Sequence, residues 1–463
     1  MSAPSGCRST IPFEWLVTDK EKKRTIHMLR DALRLIAVLS LAFSILPRTG
    51  LAADLQEVYE QAKSYDTDFR EAQFELEAAK ESVPLARSSF LPQLSLVAEG
   101  GLSTVTEDGE GPYEETLVSL TLNQTLYNRV NGKELDQAKL GLLQAQARYA
   151  ALEQALILRT ATAYFDVLRA QANVEFSQSE LQAISRQREQ AESRFDVGLV
   201  PITDVRSAQA QYDLAVAQEI AAADQFSTAQ EALRRISGVD ADLLTPLADD
   251  LPLTPPQPTD IDAWVELALE QNFELVIARL AAQSSDTQLS IERASRYPTL
   301  DLVGSATTTT TELTGLPDRD LAELKLQLRL PIITGGRVNA QVSQAKAEAD
   351  AARQKLLSQE RTTTQQTRDG FRGVRASIAR ARALRQALVS TQKSAEATEA
   401  GFRAGTRTSV EVLQELRDTY RARSDYAGAR YDYIINTLNL KAASSTLTEK
   451  DILWINGFLA FPE

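Results

Sequence analysis

The chain has 463 residues, 43% of them hydrophobic and 24% charged, with 63 Asp and Glu against 50 Lys and Arg for a formal net charge of −13. That length and balance permit a large core and exclude a disordered polymer, and so acidic a chain is a poor partner for nucleic acid. The only cysteine is Cys7, the only histidine is His27 and the methionines are Met1 and Met28; without residues 1–53, the chain has no Cys or His nucleophile, no usual zinc ligand set, no Ser-His-Asp triad and no disulfide.

Residues 1–53 read as a leader. From Met28, the expected start, Arg30 and Arg34 precede an apolar run from Leu35 to Leu46, and Gly50-Leu51-Ala52-Ala53 supplies small residues for cleavage. This is the pattern of a secretory signal peptide. The run is shorter than the about 20 residues that a membrane-spanning helix needs.

Residues 54–240 form a first repeat. Strands are predicted over about 91–103 and 116–127, joined by a loop from Thr104 to Glu115: Leu94 and Leu96, then Val118, Leu120 and Leu122, alternate with polar residues. A helical hairpin is predicted over about 132–237. Its first arm is Pro-free to Val197, and Leu135, Ala138, Leu142, Ala145, Tyr149, Leu152 and Leu156 recur at the 3-and-4 spacing of a coiled-coil seam. Val197-Gly-Leu-Val-Pro201 turns the chain, a Gly stop followed by a helix restart.

Residues 241–259 carry Pro246, Pro252, Pro255, Pro256 and Pro258 and read as an extended linker. A second repeat, 260–446, has strands predicted over about 297–311 and 321–332, a Glu312 to Asp320 loop, and a hairpin over about 336–443 that turns at Ala404-Gly-Thr-Arg-Thr408. In Glu323-Leu-Lys-Leu-Gln-Leu-Arg-Leu330, one face is all leucine and the other is charged or amide. Residues 447–463 are a C-terminal tail.

The two halves match in wording. Phe90-Leu-Pro-Gln-Leu-Ser-Leu-Val97 aligns with Arg296-Tyr-Pro-Thr-Leu-Asp-Leu-Val303, Gln137-Ala-Lys139 with Gln344-Ala-Lys346, and Arg194-Phe-Asp-Val-Gly198 with Gly401-Phe-Arg-Ala-Gly405. Two strands and a long hairpin per repeat define a mixed fold of α-helices and transmembrane β-strands. A half-buried soluble sheet also alternates, but an exported chain with a leucine face and a charged face fits a barrel with a wet lumen better. Open sheet edges cannot face lipid, and four strands are too few to close a barrel whose smallest examples have about 8. Several copies must share one barrel.

Ala163-Tyr-Phe-Asp-Val-Leu168, Arg194 to Val205, Leu330-Pro-Ile-Ile-Thr-Gly-Gly-Arg-Val338, Gly401 to Thr408 and Ala429-Arg-Tyr-Asp-Tyr-Ile-Ile-Asn436 closely resemble the TolC family of outer-membrane efflux proteins. The resemblance implies a homotrimer in the outer membrane of a Gram-negative bacterium, with a 12-stranded β-barrel continued by a 12-helix periplasmic α-barrel. It implies a channel-tunnel of tripartite efflux and type I secretion, taking drugs, small toxic compounds or proteins from a periplasmic adaptor and an inner-membrane pump of RND, ABC or MFS type. No cofactor and no catalysed reaction are implied.

By the same resemblance, the periplasmic gate falls on Thr203, Asp204, Phe402, Arg407, Glu411 and Gln414, with Arg407 bonding Thr203 and Asp204 across neighbouring hairpins. Phe402 stands where the family has Tyr, Glu411 keeps one carboxylate ring with Glu for Asp, and Gln414 replaces the Asp of a second ring. Glu415 points about 100° away from Gln414 around a helix and is no assured substitute. Gly198, Leu199, Gly405 and Thr406 fall at the adaptor contact. Read locally, Thr408-Ser-Val-Glu411 has capping-box spacing, Thr203 and Asp204 suit a first helical turn, and the Gly turns reverse the chain. A periplasmic adaptor, which also has helical hairpins, is the alternative function, although it leaves the leucine-faced strands unexplained. An acid-catalysed glycosidase would need a distinct carboxylate pair, and none stands out.

Overall fold

The computed structural model describes residues 53–103, 113–240, 244–248, 251–311 and 318–460. The expected signal peptide and most of both strand-joining loops lie outside the described residues.

Each repeat opens with a pair of helices that the sequence reading did not separate: α1 (Leu55–Tyr65) and α2 (Thr67–Ser88) in the first, α5 (Ile261–Gln271) and α6 (Phe273–Ala294) in the second. Their caps are equivalent. Asp54 accepts from the backbone N–H of Glu57 and Asp260 from that of Asp262. At the break between the paired helices, extended Asp66 and Asn272 accept from Phe69 and Leu275. Each satisfies an N–H that the helix start leaves unpaired.

Strands β1 (Gln93–Ser103), β2 (Tyr113–Tyr127), β3 (Thr299–Thr311) and β4 (Arg319–Arg329) form one antiparallel sheet in chain order, with β1 and β4 at its edges. Residues 113–115, expected in a loop, extend β2, pairing with Ser103, Leu102 and Gly101. β4 stops at Arg329, short of the expected 332, because Pro331 has no N–H to continue a ladder. The register sets Leu94 beside Leu122, Leu122 beside Gly304 and Gly304 beside Leu324; the next row is Leu96, Leu120, Ala306 and Ala322. One face is therefore a continuous apolar band. Leu94, Leu96, Leu324, Leu326 and Leu328 on it are more than half exposed in a single chain.

Below the sheet run α3 (Arg129–Asp196) and α7 (Arg337–Arg403), of 68 and 67 residues, each about 100 Å long at 1.5 Å per residue. Asn128 caps α3 by accepting from Val130. The returning arms are α4 (Ile202–Ser237) and α8 (Ser409–Ala443). Buried Ala208, Ala215 and Ala222, seven apart, give α4 a small-residue seam on α3. α3 is flanked by α2 and α4 on one side and by α6 and α8 on the other, while α7 lies against α6 and α8.

The largest core sits partway along these helices. Tyr164, Phe165, Leu156, Tyr433, Ile434 and Leu438 pack with Tyr59 of α1, the linker residues Leu244 and Leu247, and Ile452 and Ile455 of α9 (Glu449–Asn456). The Tyr164 hydroxyl donates to the carbonyl of Thr245 at 2.7 Å, and that of Tyr433 to the carbonyl of Thr254 at 3.0 Å. Linker and tail are thus strapped onto the long helices. Among the described residues no helix is long and apolar enough to cross a membrane.

Candidate functional site

The two hairpin tips are built alike. At the first, the N–H of Leu199 donates to Arg194 O and that of Gly198 to Phe195 O, both at 2.8 Å; at the second, Thr406 donates to Gly401 O at 2.9 Å and Gly405 to Phe402 O at 3.0 Å. This is a Schellman stop, which requires the left-handed backbone that Gly198 (φ +75°) and Gly405 (φ +76°) adopt. The stop leaves Leu199 73% exposed, so an apolar side chain is held in water at the tip.

The second arm restarts differently in the two repeats. Pro201 leads into α4 without a side-chain cap, and the hydroxyl of Thr203 donates to Asp204 Oδ1 at a long 3.4 Å. α8 starts with a full capping box: Thr408 Oγ1 accepts from the N–H of Glu411, and Glu411 Oε2 accepts from the N–H of Thr408 at 2.7 Å. Arg407 Nη1 donates to Glu411 Oε1 at 2.8 Å. The Thr408 N–H first, then Arg407 and the Thr408 hydroxyl, hold the Glu411 carboxyl below its ordinary range.

The expected gate residues are therefore only partly brought together. Within one chain the hydrogen bond of Arg407 runs to Glu411 in the first turn of the helix that follows it, not to Thr203 or Asp204. Phe402 lies under the Arg194 guanidinium, 4.6 Å from ring centroid to Cζ. It joins the ends of α7 and α3 through its ring face, with no hydroxyl required. Gln414 Nε2 donates to Asp418 at 3.2 and 3.3 Å.

Sequence reasoning passed over Asp418. It stands seven residues after Glu411, so the two carboxylates share one stripe of the helix, and that spacing was readable. Arg417 was also missed: its Nε donates to Glu180 Oε1 at 3.2 Å and its Nη1 to Gln211 Oε1 at 2.8 Å, tying α8 to both arms of the first hairpin. Nearby, Ile184, Ala215 and Leu413 form a small core of their own. Among the described residues no group of three or more His, Cys, Asp or Glu is placed to hold a metal ion.

A sheet with a leucine face and a polar face, continued by antiparallel helices about 100 Å long with glycine-stopped tips, is the wall segment of a membrane channel and its tunnel. The model of the family described as outer membrane efflux protein matches residues 58–239 and 264–446, one match per repeat. The chain belongs to that family. It is 36% identical to the outer membrane protein TolC of Vibrio cholerae over 427 residues, covering 91% of this chain and 97% of that protein. The alkaline protease secretion protein AprF of Pseudomonas aeruginosa is 27% identical over 433 residues, covering 90% of each. Among solved structures, the outer membrane protein VceC of Vibrio cholerae superposes with a TM-score of 0.72 at 20% identity, over 84% of this chain and 95% of that one. The chain is an outer-membrane channel-tunnel protein: β1 to β4 are its barrel strands, and the long helices are its periplasmic tunnel wall.

Proposed function

We propose that three copies of the chain close one 12-stranded barrel and one 12-helix tunnel, and that this conduit carries drugs, small toxic compounds or secreted proteins from an adaptor and an inner-membrane pump of RND, ABC or MFS type to the exterior. The observation that carries the proposal is the pair of open edges. β2 of the first repeat pairs with β3 of the second, and α3 packs on α6 and α8. Moving each element to its counterpart in the other repeat asks for β4 against β1, and α7 against α2 and α4. Within one chain β4 and β1 are opposite edges of the sheet, so the second set of contacts requires another copy. Such head-to-tail contacts close into a ring. Without it, the backbone groups of both edges would face lipid unpaired, at several kcal/mol each.

Gly198, Leu199, Gly405 and Thr406 form the exposed tips at which the adaptor docks. Thr203, Asp204, Phe402, Arg407, Glu411 and Gln414 lie at the tunnel entrance, where Arg407 reaches Thr203 and Asp204 of a neighbouring hairpin when the tunnel rests. The guanidinium has five donors, so the bond to Glu411 leaves others for that contact. Light scattering of the detergent-extracted protein tests the assembly: the protein mass should be three times that of one chain. A monomer in mild detergent would overturn the proposal.

A further inference from the structure

The chain is acidic overall, yet the middle of α7 is not: residues 361–385 hold seven arginines and one carboxylate, Asp369. Arg361, Arg368, Arg375 and Arg382 stand seven apart and so line one stripe of the helix, with Arg372 beside them. All five are exposed. Arg368 Nη2 donates to Asp262 Oδ1 of α5 at 3.1 Å, Arg372 Nη1 lies 3.6 Å from Asp369, and Arg382 Nη2 donates to the carbonyl of Leu253. No carboxylate of the described residues pairs with Arg361, Arg375 or Arg382.

The internal repeat fixes which way this stripe faces. In the register that aligns Arg194–Gly198 with Gly401–Gly405, Arg361, Arg368, Arg372 and Arg375 correspond to Gln154, Ala161, Phe165 and Leu168 of α3. On α3 that face is covered. Ala161, Phe165 and Leu168 are buried in the core that takes in the linker and tail, and Gln154 donates to the carbonyl of Leu447. With α2 and α4 on one flank of α3 and α6 and α8 on the other, only an inner and an outer face are left, and a layer on the inner one would fill the bore. The stripe of α7 therefore lies on the outside of the tunnel, clear of the seams; this step rests on the conduit proposed above.

The height of the stripe narrows its partner. Arg361 follows Arg337, the first residue of α7, by 24 residues, and Arg382 precedes Arg403, the last, by 21; at 1.5 Å per residue these are about 36 Å and about 32 Å of helix. Lipid headgroups at the barrel are thus several Debye lengths of about 8 Å away, and the tips are as distant. What the outside of a periplasmic tunnel meets between membrane and tip is peptidoglycan, a covalent mesh whose peptide stems carry free carboxylates. Guanidinium forks bond carboxylates bidentately. Over a stripe about 32 Å long, several stems can bind at once, and weak single contacts add as avidity. We propose that the outer arginine stripe of α7 is a docking surface for peptidoglycan, which ties the tunnel to the cell wall once per copy around the ring.

Sedimentation of the detergent-extracted full-length protein with purified Gram-negative sacculi tests this. Wild type should pellet with the sacculi at low salt, leave them at high salt, and stay in solution when the sacculus carboxylates have been amidated. Arg361→Gln, Arg368→Gln, Arg375→Gln and Arg382→Gln together should weaken binding at least about tenfold, since linked contacts are lost at once. Lys at the same four positions, which keeps the charge without the fork, should restore only part of it. Trimer mass and bilayer conductance should match wild type in both variants. Wild-type protein that ignores sacculi, a Gln variant that pellets equally, or amidated sacculi that still retain wild type would each overturn the docking surface. So would a stripe that leaves sacculi alone and holds an acidic adaptor protein instead. The amidated sacculi are tested on wild type and do not depend on the variants folding. None of these results touches the ring, which fails only if the protein mass is that of one chain.

Discussion

Arg407 and Glu411 are bonded to each other, Nη1 to Oε1 at 2.8 Å, across the start of α8. The two functions expected at this turn, a latch through Arg407 and a carboxylate ring through Glu411, therefore draw on one ion pair. Each has to be tested with the other in view.

Three copies would set three Glu411 carboxylates around a narrow aperture, where low-dielectric walls focus the field and favour cations. Arg407 offsets part of that charge, and Asp418 on the same stripe adds to it. Glu411→Gln should lower cation selectivity and weaken block by trivalent cations in bilayers, and Asp418→Asn should change both in the same direction. Unchanged selectivity in both variants would remove the carboxylates from the permeation path.

If the proposed latch to Thr203 and Asp204 of the neighbouring hairpin holds the tunnel shut, Arg407→Ser should raise single-channel conductance by breaking it. Asp204→Ala should do so by a similar amount, and the double variant should add little, because both remove one interaction. An exposed pair is worth about 0.2–1 kcal/mol and acts three times in a trimer. A wild-type conductance for Arg407→Ser in inserted, trimeric protein would leave Arg407 with the cap alone.

The cap itself is measurable. Thr408→Ala removes the acceptor for the Glu411 N–H and should cost about 1 kcal/mol of local stability at the start of α8. Amide hydrogen exchange should quicken over residues 410–413 and not at the equivalent start of α4, where no side chain caps. Equal protection in variant and wild type would mean the capping box contributes nothing.

How much of this was legible in the sequence depends on what held each feature. The long arms announce themselves through Pro-free Ala and Leu spacing, and the strands through leucine alternation, since both patterns are written in consecutive residues. α2 was passed over although it is helical for 22 residues. It carries Pro84, and its apolar Phe74 and Leu85 are 65% and 73% exposed in one chain, so it shows no single inward stripe. Within one chain Arg407 takes Glu411, a carboxylate four residues on that costs no loop closure, while the expected contact to Thr203 and Asp204 joins neighbouring hairpins and is written in no local pattern. Arg417 and Glu180 are 237 positions apart, and no local pattern joins them.

The strap that closes the core onto α1 predicts a pH response. Lys63 Nζ donates to Glu449 Oε1 at 2.5 Å. That bond is the first cause holding the Glu449 carboxyl below its ordinary range, and it also raises Lys63. A depressed carboxylate stabilises the fold above its ordinary pKa of about 4.3 and loses that contribution as pH falls through the lowered value. A raised lysine stabilises it below about 10.4 and loses that as pH rises further. Glu449→Gln should therefore lower the melting temperature at pH 7 and flatten its fall in acid. An identical acid limb would show the strap to be inert.

Helix packing offers a steric test. A Cβ on Gly370, within α7, would lie 3.3 Å from the Cα of Leu440 on α8. Gly370→Ala gains up to about 1 kcal/mol in helix propensity but forces the two backbones apart, at a cost of about 1–3 kcal/mol. A net loss of thermal stability is expected; a raised melting temperature would mean that α7 and α8 separate freely there.

The most direct test of the channel itself is a planar-bilayer recording of the purified full-length chain. Stepwise, cation-favouring conductance from detergent-extracted protein is the predicted result, with each step requiring the closed multi-copy barrel. A protein that leaves the membrane in high salt without detergent and never conducts would contradict it.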